Sequence, residues 1–322
     1  MNRDPLGESS HFDGRRYFNP SAREYGHRVW HVLRWMASRR PARWPKWIDD
    51  PIPPRPQAVP EPHRIAATFV GQSTFLLQFD GVNVLTDPVW SDRASPVRWA
   101  GPRRVRRPGL DFDALPPLHL VLVSHNHYDH MDLATLRRLQ QRFDPLFLTG
   151  LGNRCYLRKR GLSRVEELDW WQTFPALGGM QVTMTPARHF SRRGLFDRLR
   201  TLWGGFVLTA GTKRVFFAGD SAYDDHFQEI ARRLGRLDLA LLPIGAYEPR
   251  WLMQAAHMNP EEAVRAHLDL APRFSIGMHF GTFQLTDESI DAPIEELRRS
   301  LRQYGVKESE FRVPAFGLTV LV

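Results

Sequence analysis

From Arg64 onward the chain is a succession of short apolar runs, each four to eight residues long and each ended by Gly, Pro, Asp or His. Runs of this length bounded by turn residues are typical of β-strands, and they leave little room for an all-helical fold. They predict strands over residues 65–70, 74–79, 82–86, 118–124, 146–148, 181–185, 206–209, 214–218, 239–242, 274–278 and 318–321.

Helical periodicity interrupts these strands at residues 133–143, 225–234, 260–270 and 293–304. The third helix has a clear start, because Asn259 can cap it, Pro260 suits its first turn, and Glu261 and Glu262 complement its dipole. Strands first, helices between the later strands and no linker after residue 64 predict one α/β domain over residues 64–322, with its sheets covered by helices.

Residues 1–63 differ in composition and are predicted to form an extension, rich in basic residues, tryptophan and proline. The first 60 residues hold eleven Lys or Arg against six Asp or Glu, and four of the ten tryptophans. The prolines of P-I-P-P-R-P at 51–56 predict a stiff connector. Helical spacing predicts one basic amphipathic helix through Tyr25, Val29, Val32, Leu33 and Met36. That helix could lie in a lipid headgroup layer through Trp30 and Trp35, or pack its apolar stripe on the main domain.

Charge and cysteine content narrow the class of protein. Lys and Arg number 44 against 35 Asp and Glu, which favours an anionic partner such as nucleic acid, a phospholipid surface or a phosphorylated substrate. The single cysteine, Cys155, excludes an intrachain disulfide and a thiolate metal cluster. Neither a secretory signal nor an apolar run of about 18 to 20 residues is found, so we expect a cytoplasmic protein with peripheral membrane contact as an open alternative.

The segment S-H-N-H-Y-D-H at 124–130 places three imidazoles and a carboxylate within six residues. It follows a predicted strand and precedes a predicted helix, which is where open α/β sheets gather ligands. His125 and His127 can turn toward one ion while Asp129 and His130 face another. One ion needs three or four ligands, so other strand ends must supply more.

Three further side chains meet that requirement. His189, Asp220 and His279 each follow an apolar β run, so all three can reach the same rim as the histidine segment. Together the seven residues predict a metal site. Five His and two Asp without Cys suit Zn²⁺ and tolerate Mn²⁺ or Fe²⁺. Two ions about 3.5 to 4 Å apart would share a bridging carboxylate and a water whose pKa falls toward ~7.

The series H-x-H-x-D-H followed by separate His, Asp and His resembles that of the metallo-β-lactamase superfamily, whose fold is an αββα sandwich of two mixed sheets flanked by helices. Further segments resemble its N-acyl-phosphatidylethanolamine-hydrolysing phospholipase D branch: F-V-G-Q-S-T-F, L-T-D-P-V-W-S-D-R-A-S-P, E-L-D-W-W, I-G-A-Y-E-P-R-W and H-M-N-P-E-E-A-V-R. The resemblance spans about residues 67–281. It does not extend with assurance into the amino-terminal extension.

The resemblance implies that two Zn²⁺ ions bind here. One is held by His125, His127 and His189, the other by Asp129, His130 and His279, and Asp220 bridges them. It also implies a substrate-side role for His257, for which capping or packing is the alternative. Asp129 is the candidate for orienting the nucleophile or passing a proton. Gln72 and the pair Ser221-Ala222 depart from the pattern of the branch, which affects substrate choice rather than metal binding.

The leading hypothesis is hydrolysis of a phosphodiester in a glycerophospholipid, by a metal-bridging hydroxide, with N-acyl-phosphatidylethanolamine giving phosphatidic acid and an N-acylethanolamine. Arg103, Arg104 and Arg192 are candidates for binding the phosphate of the headgroup, and the alternative for these arginines is a solvated basic loop. Tyr128 is a further candidate for contact with the substrate. A second hypothesis is a nuclease or cyclic-nucleotide phosphodiesterase, which is disfavoured because no RNA-binding module is recognisable. A third is a lactonase or other ester hydrolase, and a fourth is a non-catalytic metal-stabilised binding protein. The sequence does not indicate an oligomeric state.

Overall fold

Two seven-stranded β-sheets carry the fold. The computed structural model describes residues 9–20, 29–51, 64–79 and 81–322. The strands of the first sheet are β1 (Ala66–Gly71), β2 (Thr74–Phe79), β3 (Val82–Thr86), β4 (Leu120–Val123), β5 (Leu146–Gly150) and β6 (Val165–Leu168), with β14 (Thr319–Leu321) at its edge beside β1. The second sheet contains β7 (Thr173–Pro175), β8 (Gln181–Thr185), β9 (Gly205–Ala210), β10 (Lys213–Phe217), β11 (Leu239–Pro243), β12 (Phe274–Met278) and β13 (Phe311–Arg312).

Helices flank the two sheets, except that the first of them belongs to the amino-terminal extension. They are α1 (Val29–Ser38), α2 (Leu133–Phe143), α3 (Arg154–Arg158), α4 (His226–Leu234), α5 (Arg250–Met253), α6 (Pro260–Leu270) and α7 (Ala292–Tyr304). The four predicted helices of the main domain agree with α2, α4, α6 and α7 to within one residue at either end. Asn259 caps α6 as expected, and a reciprocal bond between its backbone and Glu262 completes a capping box.

Strand β4 shows why the apolar runs predicted a sheet buried on both faces. Leu120 and Leu122 point into the core between the two sheets, together with Phe75 of β2. Val121 and Val123 point the other way, into a second core that includes Leu136 of α2. Side chains alternate across a strand, so a strand covered on both sides must be apolar throughout. The predicted αββα sandwich is confirmed.

Strand direction brings the ends of several strands to one edge. β3, β4, β5 and β6 are mutually parallel in the first sheet, and β10, β11, β12 and β13 are parallel in the second. The carboxyl ends of neighbouring parallel strands therefore open onto the same rim. The histidine segment at residues 124–130 follows β4 and therefore lies at this rim.

The described part of the amino-terminal extension lies against the main domain. Trp35 donates its indole N–H to Asp287 at 2.7 Å, and Arg39 forms an ion pair with the same carboxylate at 3.0 Å. Trp30 and Met36 of α1 are nevertheless 75% and 62% exposed. The helix thus packs on the domain and still presents an apolar edge. Tyr25, Arg28 and most of the proline connector lie outside the described residues.

The helices of the described ranges are short, the longest being α7 with 13 residues. Among them, no helix combines the length and the apolar character that crossing a bilayer requires.

Candidate metal centre

The seven predicted ligands come from four strand ends. His125, His127, Asp129 and His130 follow β4 of the first sheet. His189 follows β8, Asp220 follows β10 and His279 follows β12, all in the second sheet. The structure brings all seven side chains together at the shared rim. The cluster therefore joins the two sheets at one edge.

Three imidazoles form the first group of donor atoms. Nε2 of His125 lies 2.8 Å from Nδ1 of His127, and Nε2 of His189 lies 3.3 Å from that same Nδ1. Each histidine directs one ring nitrogen toward the other two. Because imidazole nitrogens in this arrangement converge on one point, the group can hold one metal ion.

Two carboxylates and two imidazoles form the second group. Nε2 of His130 lies 3.2 Å from Oδ2 of both Asp129 and Asp220, and Nε2 of His279 lies 3.1 and 3.2 Å from the same two oxygens. Metal bonds of about 2.0–2.1 Å in a tetrahedron would separate neighbouring donor atoms by about 3.3 Å. The spacing of this group therefore fits a metal ion without rearrangement.

Asp220 connects the two groups. Its Oδ2 lies 3.9 Å from Nε2 of His189 in the first group, while Oδ1 is buried without a hydrogen-bond partner among the described residues. Nε2 of His130 is likewise buried, and it faces two carboxylate oxygens at 3.2 Å without the geometry of a hydrogen bond. Buried polar atoms left without partners are costly, and a bound cation would satisfy both. The residues present therefore fit a metal centre.

Hydrogen bonds behind the histidines set which ring nitrogen faces the centre. Nδ1 of His189 donates to the carbonyl oxygen of Ala256 at 2.9 Å, which leaves Nε2 free to act as a ligand. Nδ1 of His130 donates to Asp87 at 2.6 Å with the same effect. Such supporting bonds orient metal-binding histidines and raise their basicity.

Asp87 is a site residue that was not predicted. It follows β3 and is fully buried, and it accepts bonds from both the backbone N–H and the hydroxyl of Ser124, at 2.7 and 2.5 Å. The Ser124 hydroxyl donates to Asp87, so it accepts from Nδ1 of His125 at 2.9 Å. One carboxylate therefore orients His130 directly and His125 through Ser124. Its position at the end of a predicted strand, within L-T-D-P, is the feature of the sequence that could have identified it as a site residue.

Burial and neighbouring charges set the protonation states of the donor side chains. Burial, reinforced by the surrounding imidazoles, holds the pKa values of His125 and His127 well below the ordinary value, so both are neutral, as metal ligands must be. Burial raises the pKa of Asp220, but His130 and His279 outweigh it and hold this pKa well below its usual range. Burial lowers the pKa of His279, but Asp220 and Asp129 outweigh it and raise this pKa to about 9.

This charge distribution predicts the pH dependence of metal binding. With a pKa of about 9, His279 carries a proton at pH 7 in the metal-free protein, and a metal ion must displace it. Burial lowers the pKa of His130, but Asp220 and Asp129 outweigh it and hold this pKa well above its usual range, so the proton of His130 must be displaced too. We expect metal affinity to rise between pH 7 and 9, by up to about tenfold per pH unit for each displaced proton, with proton release on binding. Calorimetric titration with Zn²⁺ in buffers of different ionisation enthalpy measures both quantities. An affinity independent of pH over this range would contradict the prediction.

Asp129 and Gln72 form a pair at the second group. Nε2 of Gln72 donates to Oδ2 of Asp129 at 3.0 Å, and Gln72 itself is buried in a left-handed conformation with φ of 53°. The departure of Gln72 from the resembled pattern thus falls directly against a predicted ligand. An amide donor supports the ionised carboxylate without adding charge.

His257 lies on the rim of the centre. Its Nδ1 is 3.8 Å from Oδ2 of Asp220, and its ring centroid is 5.0 Å from that of His189. Burial lowers its pKa to about 3, and Nδ1 has no hydrogen-bond partner among the described residues. The side chain keeps 13% exposure, so it is accessible from the open side of the site. Its predicted role as a substrate-side residue stays a prediction.

The predicted headgroup residues lie in different environments. Arg104 is only 4% exposed and donates to the carbonyl oxygens of Ser91 and Val89, so its described contacts stabilise a loop. Arg103 and Arg192 are exposed. Tyr128 is half-buried and donates its hydroxyl to the carbonyl oxygen of Arg193 at 2.9 Å. The substrate contacts of all four stay predictions.

Known proteins share sequence similarity with this chain. The family described as the beta-lactamase superfamily domain matches residues 82–280. A Mycobacterium tuberculosis protein named only as uncharacterized is 40% identical over 84% of this chain and 71% of its own length. A Caenorhabditis elegans protein named N-acyl-phosphatidylethanolamine-hydrolyzing phospholipase D 1 is 38% identical over 72% of this chain and 68% of its own length.

A solved structure agrees at the level of the fold. Igni18, described as a novel metallo hydrolase from the archaeon Ignicoccus hospitalis, superposes with a TM-score of 0.60 at 23% identity, over 80% of this chain and 98% of that one. The two-sheet sandwich, the donor cluster on its rim and the family match agree with one another. The chain belongs to the metallo-β-lactamase superfamily and carries a His/Asp cluster able to hold metal ions.

Proposed function

We propose that the protein is a binuclear zinc phosphodiesterase that cleaves a glycerophospholipid, with N-acyl-phosphatidylethanolamine as substrate and phosphatidic acid and an N-acylethanolamine as products. The supporting observation is the pair of adjacent donor groups that share Asp220, which suits two ions acting on one phosphodiester. The similarity to the Caenorhabditis elegans phospholipase D supports the choice of lipid.

Bound metal ions would supply Lewis-acid polarisation of a phosphoryl oxygen and a water-derived nucleophile at neutral pH. The chain's own residues set the geometry around that chemistry. Burial raises the pKa of Asp129, but His130 and His279 hold it well below its usual range, so the carboxylate is an acceptor at neutral pH. With 11% of its side chain exposed, Asp129 can orient a nucleophile beside a bound substrate.

His257 would contact the substrate from the other side. A pKa of about 3 makes this imidazole neutral at pH 7, so it offers the substrate a hydrogen bond rather than a positive charge. Charge attraction would come from arginine. Arg192 is exposed three residues after His189, a position from which its guanidinium can meet a headgroup phosphate.

Peripheral contact with a membrane belongs to the same proposal, because the substrate is a bilayer lipid. The exposed edge of α1, with Trp30 and Met36, is one candidate surface for it.

A panel of three substrates tests the proposal. Zinc-loaded protein would be assayed with an N-acyl-phosphatidylethanolamine, with a bis-aryl phosphodiester and with an acyl lactone. We expect kcat/KM for the phospholipid to exceed that for the other two by at least about 10²-fold, since lipid contacts away from the reacting phosphorus contribute only to the true substrate. Preference for the lactone would identify an ester hydrolase instead. Preference for the small diester would indicate another phosphodiesterase, with a nucleic-acid substrate as the next test.

A further inference from the structure

Three of the most exposed large apolar side chains lie on two loops beside the metal centre. Trp99 is 81% exposed, Leu195 is 79% exposed and Phe196 is 85% exposed. Trp99 belongs to the loop that follows β3, and the other two belong to the loop that follows His189. Exposed apolar side chains that are grouped on one surface and rimmed by polar residues mark an interaction site.

Both loops border one cavity of about 610 Å³. Four arginines line it: Arg93, Arg98, Arg160 and Arg193. Arg98 immediately precedes Trp99, and Arg193 is two residues before Leu195. The exposed apolar side chains therefore lie on the two loops that border an arginine-lined cavity. We call this surface, with Trp99, Leu195, Phe196 and the four arginines, the arginine–aromatic face.

The arginines of this face lack anionic partners. None of the four forms an ion pair with a carboxylate among the residues that the structure describes. The carboxylate of Asp132, in the cavity wall, is instead bound to the N–H of Ser91 and the hydroxyl of Thr135, at 3.0 and 2.6 Å. Asp92 is the other acidic residue of the lining. Positive charge thus exceeds negative charge in the cavity, and an anion would compensate it.

Tyr128 shows that this cavity lies next to the metal centre. It stands between the predicted ligands His127 and Asp129, and its ring lines the cavity. The guanidinium of Arg193 lies 4.1 Å from the centroid of that ring and donates to the carbonyl oxygen of Asn126 at 3.0 Å. A phosphate in the cavity would therefore lie beside the catalytic rim.

We infer that the arginine–aromatic face docks the protein on the surface of an anionic phospholipid bilayer. Lipid phosphates would pair with the guanidiniums of Arg98 and Arg160, since guanidinium binds phosphate through two parallel donors, whereas Arg193 is held by Tyr156, Asn126 and Met131. The exposed apolar side chains would enter the headgroup and upper acyl region. A free phosphate in the cavity would leave those apolar side chains in water, whereas a bilayer covers both features at once. The inference deepens the proposed function, on which the choice of a phospholipid surface rests. Vesicle binding is nevertheless measured separately from turnover, so failure of one can be told from failure of the other.

Vesicle partitioning tests the inference without turnover. Metal-loaded protein would be sedimented with vesicles of phosphatidylcholine alone and with vesicles that also contain phosphatidylglycerol. We expect preferential binding to the anionic vesicles. The Leu195→Asp/Phe196→Asp variant is expected to lose at least about tenfold in partition coefficient. The Arg98→Gln/Arg160→Gln variant is expected to lose about fivefold per charge, on anionic vesicles only and less at high salt.

A matched control is available at the opposite edge of the sheets. Leu177 is 62% exposed and borders a cavity that Arg158 and Arg164 also line, at the amino ends of β4 and β5. Leu177→Asp is expected to leave partitioning unchanged. The inference fails if wild-type protein ignores anionic vesicles, or if Leu195→Asp/Phe196→Asp binds as wild type. It also fails if Trp30→Asp/Met36→Asp alone removes binding, which would place docking on α1. Unchanged melting temperatures would show that every variant is folded.

Discussion

Replacement of His125 by alanine is expected to lower turnover of the phospholipid by at least about 10³-fold. This histidine directs Nε2 toward His127 and is fully buried, so alanine removes one of the three donors of its group and leaves a cavity that water can enter. Metal activation of a phosphoryl oxygen and of water is worth several kcal/mol, and each 1.36 kcal/mol is tenfold in rate. Steady-state assays at saturating Zn²⁺, with metal content measured by elemental analysis, give the result.

His119→Ala is the matched control for this experiment. His119 lies at the amino end of β4, where its Nδ1 accepts a bond from the N–H of Asn83 at 2.9 Å, far along the strand from the rim. We expect its turnover and metal content to match those of the wild type. Full turnover by His125→Ala, or by a metal-free preparation of the wild type, would contradict the assignment of the centre as catalytic.

Replacement of Asp87 by asparagine is expected to weaken Zn²⁺ binding by about 10- to 100-fold, although no predicted ligand is changed. An amide of the same shape has one acceptor oxygen in place of two and no charge. It can keep the bonds from His130 and the Ser124 hydroxyl, which share Oδ2, only by turning an N–H toward the backbone N–H of Ser124 that now donates to Oδ1. The tautomer of His130 and, through Ser124, that of His125 then lose their support. Competition titration against a zinc chelator measures the change in affinity.

Asp113→Asn serves as the control for charge alone. The Asp113 side chain is 91% exposed and pairs only with Arg142 among the described residues, so its replacement should leave zinc affinity unchanged. Wild-type affinity in Asp87→Asn would mean that Asp87 supports the loop rather than the ligands. A lowered melting temperature with unchanged affinity would have the same meaning.

The sandwich was predictable because its strands are covered on both faces. A strand such as β4, L-V-L-V, has no solvent-facing positions to interrupt the apolar run, so its boundaries show in the sequence. β6, with the sequence V-E-E-L, was missed because it lies at the edge of its sheet and its two glutamates are half-buried. β13 has two residues, and α3 and α5 have five and four, all too short for a period to be recognised.

The metal donors were predictable for a related reason. Each follows an apolar strand at a polar loop, and the parallel strands open onto one rim, so sequence position alone indicated convergence. The supporting residues were less accessible to this reasoning. Asp87 carries the same signal as Asp220, but its bonds to Ser124 and His130 depend on how two strands of the first sheet pack. The burial of Arg104 was not predictable either, since a run of arginines does not reveal which of them turns inward.

The distribution of donors over both sheets has a consequence for biosynthesis. A ribosome completes the histidine segment at residue 130 long before it reaches His279, at about 5 to 20 residues per second. During the intervening interval of roughly 8 to 30 s the emerging chain lacks the last imidazole, and Asp220 is added only part-way through that interval. Binding of metal ions by the complete centre is therefore expected only after β12 has been made, and a nascent chain arrested before β12 should bind Zn²⁺ more weakly than the finished protein.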